Sequence, residues 1–177
     1  MKDPGSDMTS LRIEELNPES FEPFGRVIAR PSDPAQATGD GWRWWAEVAP
    51  LTGDDLTWGV GYLDLEPTDL RIDWAERHRK TDEAVVATSS EILVYVAPAD
   101  DEAAEPSLSD LRVFRIPPGC AVVLDRGVWH GAPFATSDPT TALVFILEGT
   151  GASDVEIVRF PDRPIQIEAG ARAAGKD

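Results

Sequence analysis

Leu111-Arg112-Val113-Phe114-Arg115-Ile116-Pro117-Pro118-Gly119-Cys120-Ala121-Val122-Val123-Leu124-Asp125-Arg126-Gly127-Val128-Trp129-His130 is a run of short strands broken by tight turns. Leu111–Ile116 and Ala121–Leu124 are brief and apolar, rich in β-branched and aromatic residues, and bounded by turn residues. Pro117-Pro118-Gly119 and Asp125-Arg126-Gly127 are turn signals, and the second leads into a third strand at Val128-Trp129-His130. No segment here has the length or the 3.6-residue period of a helix. The same punctuation continues outward. Leu11–Leu16, Val27–Ala29, Trp58–Leu65, Ile72–His78, Ala84–Thr88, Ile92–Ala97, Ala142–Glu148, Val155–Phe160 and Ile165–Ile167 all read as strands. Ten or more short strands at such close spacing predict an all-β sandwich or barrel. Asn17-Pro18-Glu19-Ser20-Phe21 has the marks of a helix start, with Asn as cap and Pro at the first helical position, and Gly25 should end that short helix.

Finer expectations follow from the same reading. Ser89-Ser90-Glu91 should close a hairpin between its flanking runs. Ile165–Ile167 reads as a last edge strand. Pro31–Gly41 and Ala132–Pro139 read as loops, and the acidic, alanine-rich Ala99–Ser109 as an exposed excursion. Trp58–Leu65 alternates glycine with bulky residues, which suits a strand that bends or is closely approached. At strand spacing, Trp42 and Trp44 share one face, and Arg43 and Trp45 the other. Arg43 could point into a pocket or simply stand beside packed indoles. Residues 1–10 and 169–177 read as flexible tails around a single domain over 11–168.

The chain has 177 residues, 42% hydrophobic and 27% charged, which is a globular composition with enough length for a real core. Its net charge of −16 disfavours nucleic acid and anionic membranes as partners. The single cysteine, Cys120, excludes an intramolecular disulfide and suits a cytoplasmic protein. It reads as a small core residue rather than a nucleophile. No apolar run approaches the roughly 18 residues that would span a bilayer.

The chemistry-bearing residues are few. There are two histidines, His78 and His130. His78 lies in Glu76-Arg77-His78-Arg79-Lys80-Thr81-Asp82-Glu83. In a strand Glu76 and His78 share a face. If Glu83 returns to that face and His130 arrives from a later strand, two carboxylates and two imidazoles converge. Those are the usual ligands of a first-row divalent metal. Spacing by itself leaves open whether they form a centre or are two satisfied structural histidines. Lys80 and Asp82 read as surface charges.

Pro117-Pro118-Gly119 with Val122-Val123-Leu124 and Asp125-Arg126-Gly127-Val128-Trp129-His130-Gly131 resembles the second motif of the cupin superfamily. Glu76-x-His78-x4-Glu83 resembles the first, with Glu76 where a histidine often stands. More narrowly, six pieces occur in the order of the ureidoglycolate lyase family. They are Phe21–Ile28, Gly41-Trp42-Arg43, Glu76-Arg77-His78, Leu108–Phe114, Gly127-Val128-Trp129-His130 and Asp154-Val155-Glu156. The resemblance spans roughly residues 11–160.

The resemblance implies a cupin-like double-stranded β-helix, or jelly-roll barrel, with few short helices. It also implies a homodimer and a lyase that splits ureidoglycolate into glyoxylate and urea. The expected metal ligands and catalytic residues are Glu76, His78, Glu83 and His130, holding nickel, zinc, manganese or iron. The expected substrate-binding residues are Arg43, Arg126 and Trp129, with Arg43 as the clamp for a substrate carboxylate. The competing readings are a cupin isomerase or epimerase acting on a sugar acid or natural-product intermediate, and a non-catalytic small-molecule-binding cupin.

Overall fold

The computed structural model describes residues 10–28, 32–34, 37–39, 42–44 and 57–168. Residues 1–9 and 169–177, read as tails, lie outside these. Ser10, grouped with the first tail, opens the first strand. In chain order the strands are β1 (Ser10–Glu15), β2 (Gly25–Ile28), β3 (Ala37–Gly39), β4 (Trp42–Trp44), β5 (Trp58–Leu65), β6 (Arg71–Ile72), β7 (Trp74–Arg77) and β8 (Glu83–Ala87). There follow β9 (Ile92–Ala97), β10 (Arg112–Ile116), β11 (Ala121–Leu124), β12 (Trp129–His130), β13 (Phe134–Ala135), β14 (Thr140–Leu147), β15 (Glu156–Arg159) and β16 (Ile165–Glu168). The helices are α1 (Pro18–Phe21) and α2 (Thr150–Ser153), with a 3-10 turn at Glu22–Phe24. Asn17 caps α1 as its sequence suggests, its side chain accepting the Ser20 N–H at 2.9 Å.

The larger sheet runs β15-β7-β12-β9-β10-β1-β16-β6, with β13 also on β9. The smaller runs β2-β11-β8-β14-β5, and β3 pairs with β4 apart from both. From β8 to β12 the chain changes sheet at nearly every turn, as a jelly-roll barrel requires. This corrects the expected hairpin at Ser89-Ser90-Glu91. β8 pairs with β11 and β14, and β9 with β10, β12 and β13, so the link is a corner between sheets. Two further expectations change. β16 is not an edge, because β1 pairs with one side of it and β6 with the other. The run Ile72–His78 divides at Asp73, since β6 pairs with β16 whereas β7 pairs with β12 and β15. The loop expected at 132–139 contains β13, and the Pro31–Gly41 loop contains β3.

Burial explains why β9 reads as an unbroken apolar run instead of an alternating one. Ile92, Val94 and Val96 face the barrel interior with Phe114, Val122 and Leu124. Leu93, Tyr95 and Ala97 face a second core with Trp129, Ile165 and Ile167. A strand covered on both faces needs apolar side chains at both parities. Phe21, Phe24 and Phe114 sit in edge-on and tilted contact within the interior, with centroids 5.0 to 5.7 Å apart. Each such pair contributes about 0.5–1.5 kcal/mol beyond its buried area.

Candidate active site

Antiparallel pairing of β7 with β12 sets His130 directly opposite Glu76. Directly opposed residues point to the same face of a sheet. His78 follows the end of β7 two residues after Glu76, and Glu83 opens β8 on the facing sheet. All four line one cavity of about 270 Å³, whose far wall includes Gly61, Leu63, Val144 and Ile146 from β5 and β14. The turn before His130 is fastened to the first motif: the Gly127 N–H donates to the His78 carbonyl at 2.7 Å. Gly127 has φ +80, a conformation in which glycine carries little steric cost.

Each imidazole is oriented from behind. His78 Nδ1–H donates to the Asp154 carbonyl at 2.7 Å, and His130 Nδ1–H to the Val128 carbonyl at 2.9 Å. Both Nε2 atoms are thereby left as the lone-pair side. They stand 3.5 Å and 3.7 Å from the same oxygen, Glu83 Oε2. His130 Nε2 is buried without a hydrogen-bond partner. Burial pushes the Glu83 carboxyl up, but the neighbouring His130 and His78 outweigh it, and the net effect lowers it. Burial likewise pushes His130 down, and Glu83 with help from the Val128 carbonyl and Glu76 brings it above its ordinary value.

Glu76, His78 and His130 offer ligand atoms within 4.8 Å of one another. An orphaned imidazole nitrogen, two Nδ1 groups tied to carbonyls and converging carboxylates fit a divalent metal. Metal-bound histidines almost always donate their second N–H in this way. These residues therefore suit a first-row divalent ion.

The remaining expected site residues fall elsewhere. Trp129 does not line the cavity. Being one residue from His130 on a strand, it faces the opposite side, 1% exposed in the second core, under the Arg77 guanidinium at 4.2 Å. Arg126 also stays off the cavity lining, with its Nε 4.0 Å from Asp82 Oδ1. Asp82, read as a surface charge, is 3% exposed and accepts from Arg26 Nη2 at 2.8 Å. Arg43 belongs to β4 opposite Thr38, but its side chain lies outside the described residues, as does the packing of Trp42, Trp44 and Trp45.

Sequence reading missed two contributors behind the site. Arg77 is 2% exposed, donating to Glu156 and to the carbonyls of Asp100 and Ala103. Asp154 holds His78. Parity was the available signal for Arg77: a residue between two cavity-facing side chains must face outward. Gly131 is required by packing, since a Cβ there would meet the Tyr95 hydroxyl at 1.7 Å.

The sequence matches the family described as ureidoglycolate lyase over residues 8–168. The chain belongs to that family. It is accordingly a member of an enzyme family of the lyase class. No curated protein matches the sequence significantly.

Solved structures overlap it partially. An oxalate decarboxylase from Lactobacillus farciminis, in a formate complex, is 16% identical over 58% of this chain and 26% of its own, with a TM-score of 0.41. RmlC from Streptococcus suis, with dTDP-D-xylose, is 13% identical over 52% and 43%, with a TM-score of 0.34. A dTDP sugar isomerase from Desulfovibrio desulfuricans G20 is 16% identical over 84% and 88%, with a TM-score of 0.40. The chain thus spans about a quarter of the first structure's length and under half of the second's.

Proposed function

We propose that this chain cleaves ureidoglycolate, or a closely similar carboxylated carbinol, to glyoxylate and urea with the help of a divalent metal. One observation carries the reading. In a chain of this family, Glu76, His78, Glu83 and His130 meet at a single small cavity of about 270 Å³. Glu76, His78 and His130 would hold the ion. When bound, it would supply Lewis acidity to the substrate's hydroxyl and carboxylate oxygens.

The chain's own groups account for the proton movements. Glu83 is buried and kept anionic by its histidine neighbours, so it can accept the carbinol hydroxyl proton. As the carbonyl of glyoxylate forms, the bond from carbon to the ureido nitrogen breaks and its electrons leave with nitrogen. The Glu83 carboxyl returns the proton to that nitrogen, giving neutral urea and no net proton change. Leu63, Val144 and Ile146 form an apolar wall of the cavity. Arg43 remains the proposed carboxylate clamp, through bidentate pairing. A homodimer in the cytoplasm is the expected working form, without nucleic-acid or membrane partners.

The test is glyoxylate release from ureidoglycolate by untagged protein, first stripped with chelator and then reloaded with each ion, alongside elemental analysis. Near-stoichiometric metal that is lost in His78→Ala/His130→Ala, together with turnover restored by one ion, is the expected result. Protein that binds none of the ions would overturn the metal assistance. Protein that releases no glyoxylate under any loading would overturn the substrate.

A further inference from the structure

The segment Arg77-His78-Arg79-Lys80 is fastened to Asp154-Val155-Glu156 at every residue. Arg77 Nε donates to Glu156 Oε2 at 2.8 Å, and its Nη2 lies 2.7 Å from the same oxygen. Arg79 Nε donates to Glu156 Oε1 at 2.6 Å. The Lys80 N–H donates to Asp154 Oδ2 at 2.7 Å, and His78 Nδ1–H to the Asp154 carbonyl at 2.7 Å. One carboxylate therefore grips the arginines on either side of His78 and uses both of its oxygens to do so.

We propose that Glu156 is a positioning residue: by clasping Arg77 and Arg79 it holds His78 against the Asp154 carbonyl and fixes the Nδ1–H tautomer that leaves Nε2 facing the cavity. Glu156 does not line the cavity, so it acts through the histidine and not on the substrate. An exposed ion pair is worth little, and the Glu156 side chain is 47% exposed. Arg77, however, is 2% exposed, stacked on Trp129 and held by the Asp100 and Ala103 carbonyls, so its guanidinium is a fixed anchor for Glu156. Charge-assisted bonds from two arginines to one carboxylate carry geometric restraint as well as energy. The restraint falls on the backbone that carries His78.

His130 is held by a different device. Its Nδ1–H donates to Val128 within its own turn, which Glu156 does not touch. Loss of Glu156 should therefore disturb one ring and spare the other. This inference rests on the proposed centre, but its first readout needs neither substrate nor metal.

The chain's two histidines allow a direct measurement. Untagged, metal-free protein labelled with 15N-histidine shows two imidazole spin systems, assigned with His130→Asn. At alkaline pH both rings of the wild type should be Nδ1–H tautomers. In Glu156→Ala the His78 ring should average between tautomers while His130 keeps its wild-type pattern. Glu156→Gln, which can still accept from one arginine, should fall between. A His78 ring unchanged in Glu156→Ala would overturn the proposal, and so would both rings changing together, which is general loosening. With ureidoglycolate, kcat of Glu156→Ala should fall about ten- to a hundredfold with KM held. A raised KM with kcat kept would place Glu156 in binding and overturn the proposal. If the wild type does not turn over ureidoglycolate but the rings behave as stated, the substrate reading fails and the positioning role stands.

Discussion

Glu83 is buried beside both imidazoles, and its Oε2 stands within 3.7 Å of both Nε2 atoms. As the proposed proton carrier it should be separable from the metal ligands. Glu83→Gln keeps the volume and removes the acceptor. Its kcat should fall by about 10²–10⁴ with metal content retained, measured by turnover and elemental analysis on the same sample. Glu156 gives a second prediction at this scale. Hydrogen bonds from Arg79 and then Arg77 lower its pKa below 4.5. A depressed carboxylate contributes stability that is complete above the unfolded-state value and is lost as pH falls through the folded one. The thermal midpoint should therefore drop on acidification below about pH 4.5, and Glu156→Gln should show a shallower drop in the same scan.

β5 carries a glycine at a position that lines the cavity. Gly61 lines it opposite Val144, and a Cβ there would make an ordinary contact with the Val144 Cβ at 3.6 Å. Glycine is therefore not needed for β5 to pair with β14. It leaves room. Gly61→Leu should fold, with a thermal midpoint near that of the wild type, while its side chain fills a space of about 270 Å³. Loss of substrate binding, seen as a KM raised by about tenfold or more, is the expected outcome. Unchanged kinetics would show that substrate sits away from this wall.

For the whole molecule, a net charge of −16 means that most surface charges repel. Added monovalent salt should raise the thermal midpoint between low and moderate ionic strength, because screening relieves that repulsion. A falling midpoint would show that the ion pairs of Arg26, Arg77, Arg79 and Arg112 outweigh the repulsion. No described helix is long and apolar enough to cross a membrane. Sheet switching brings distant segments together at one cavity: β7, β8 and β12 supply polar groups, and β5 and β14 an apolar wall.

The sequence alone determined the strand-rich architecture, the N-cap of α1 and the turns before β11 and β12, and it named Glu76, His78, Glu83 and His130 as candidates without deciding whether they meet. Those features are local: they follow from turn chemistry, from two-residue parity and from the scarcity of histidine. Partners were not legible in the same way. Ser89-Ser90-Glu91 has the composition of a hairpin turn, yet which sheet each flanking strand joins depends on covering both faces of β9. Trp129 and Arg77 stand next to candidate ligands in sequence and face away from them, and only the second core and the carbonyls of Asp100 and Ala103 decide what they touch. Asp82 looks like any surface acid until Arg26, fifty-six positions earlier, buries it. Nothing in the chain's local pattern encodes a contact across such a separation, because it forms only when the two sheets close on each other.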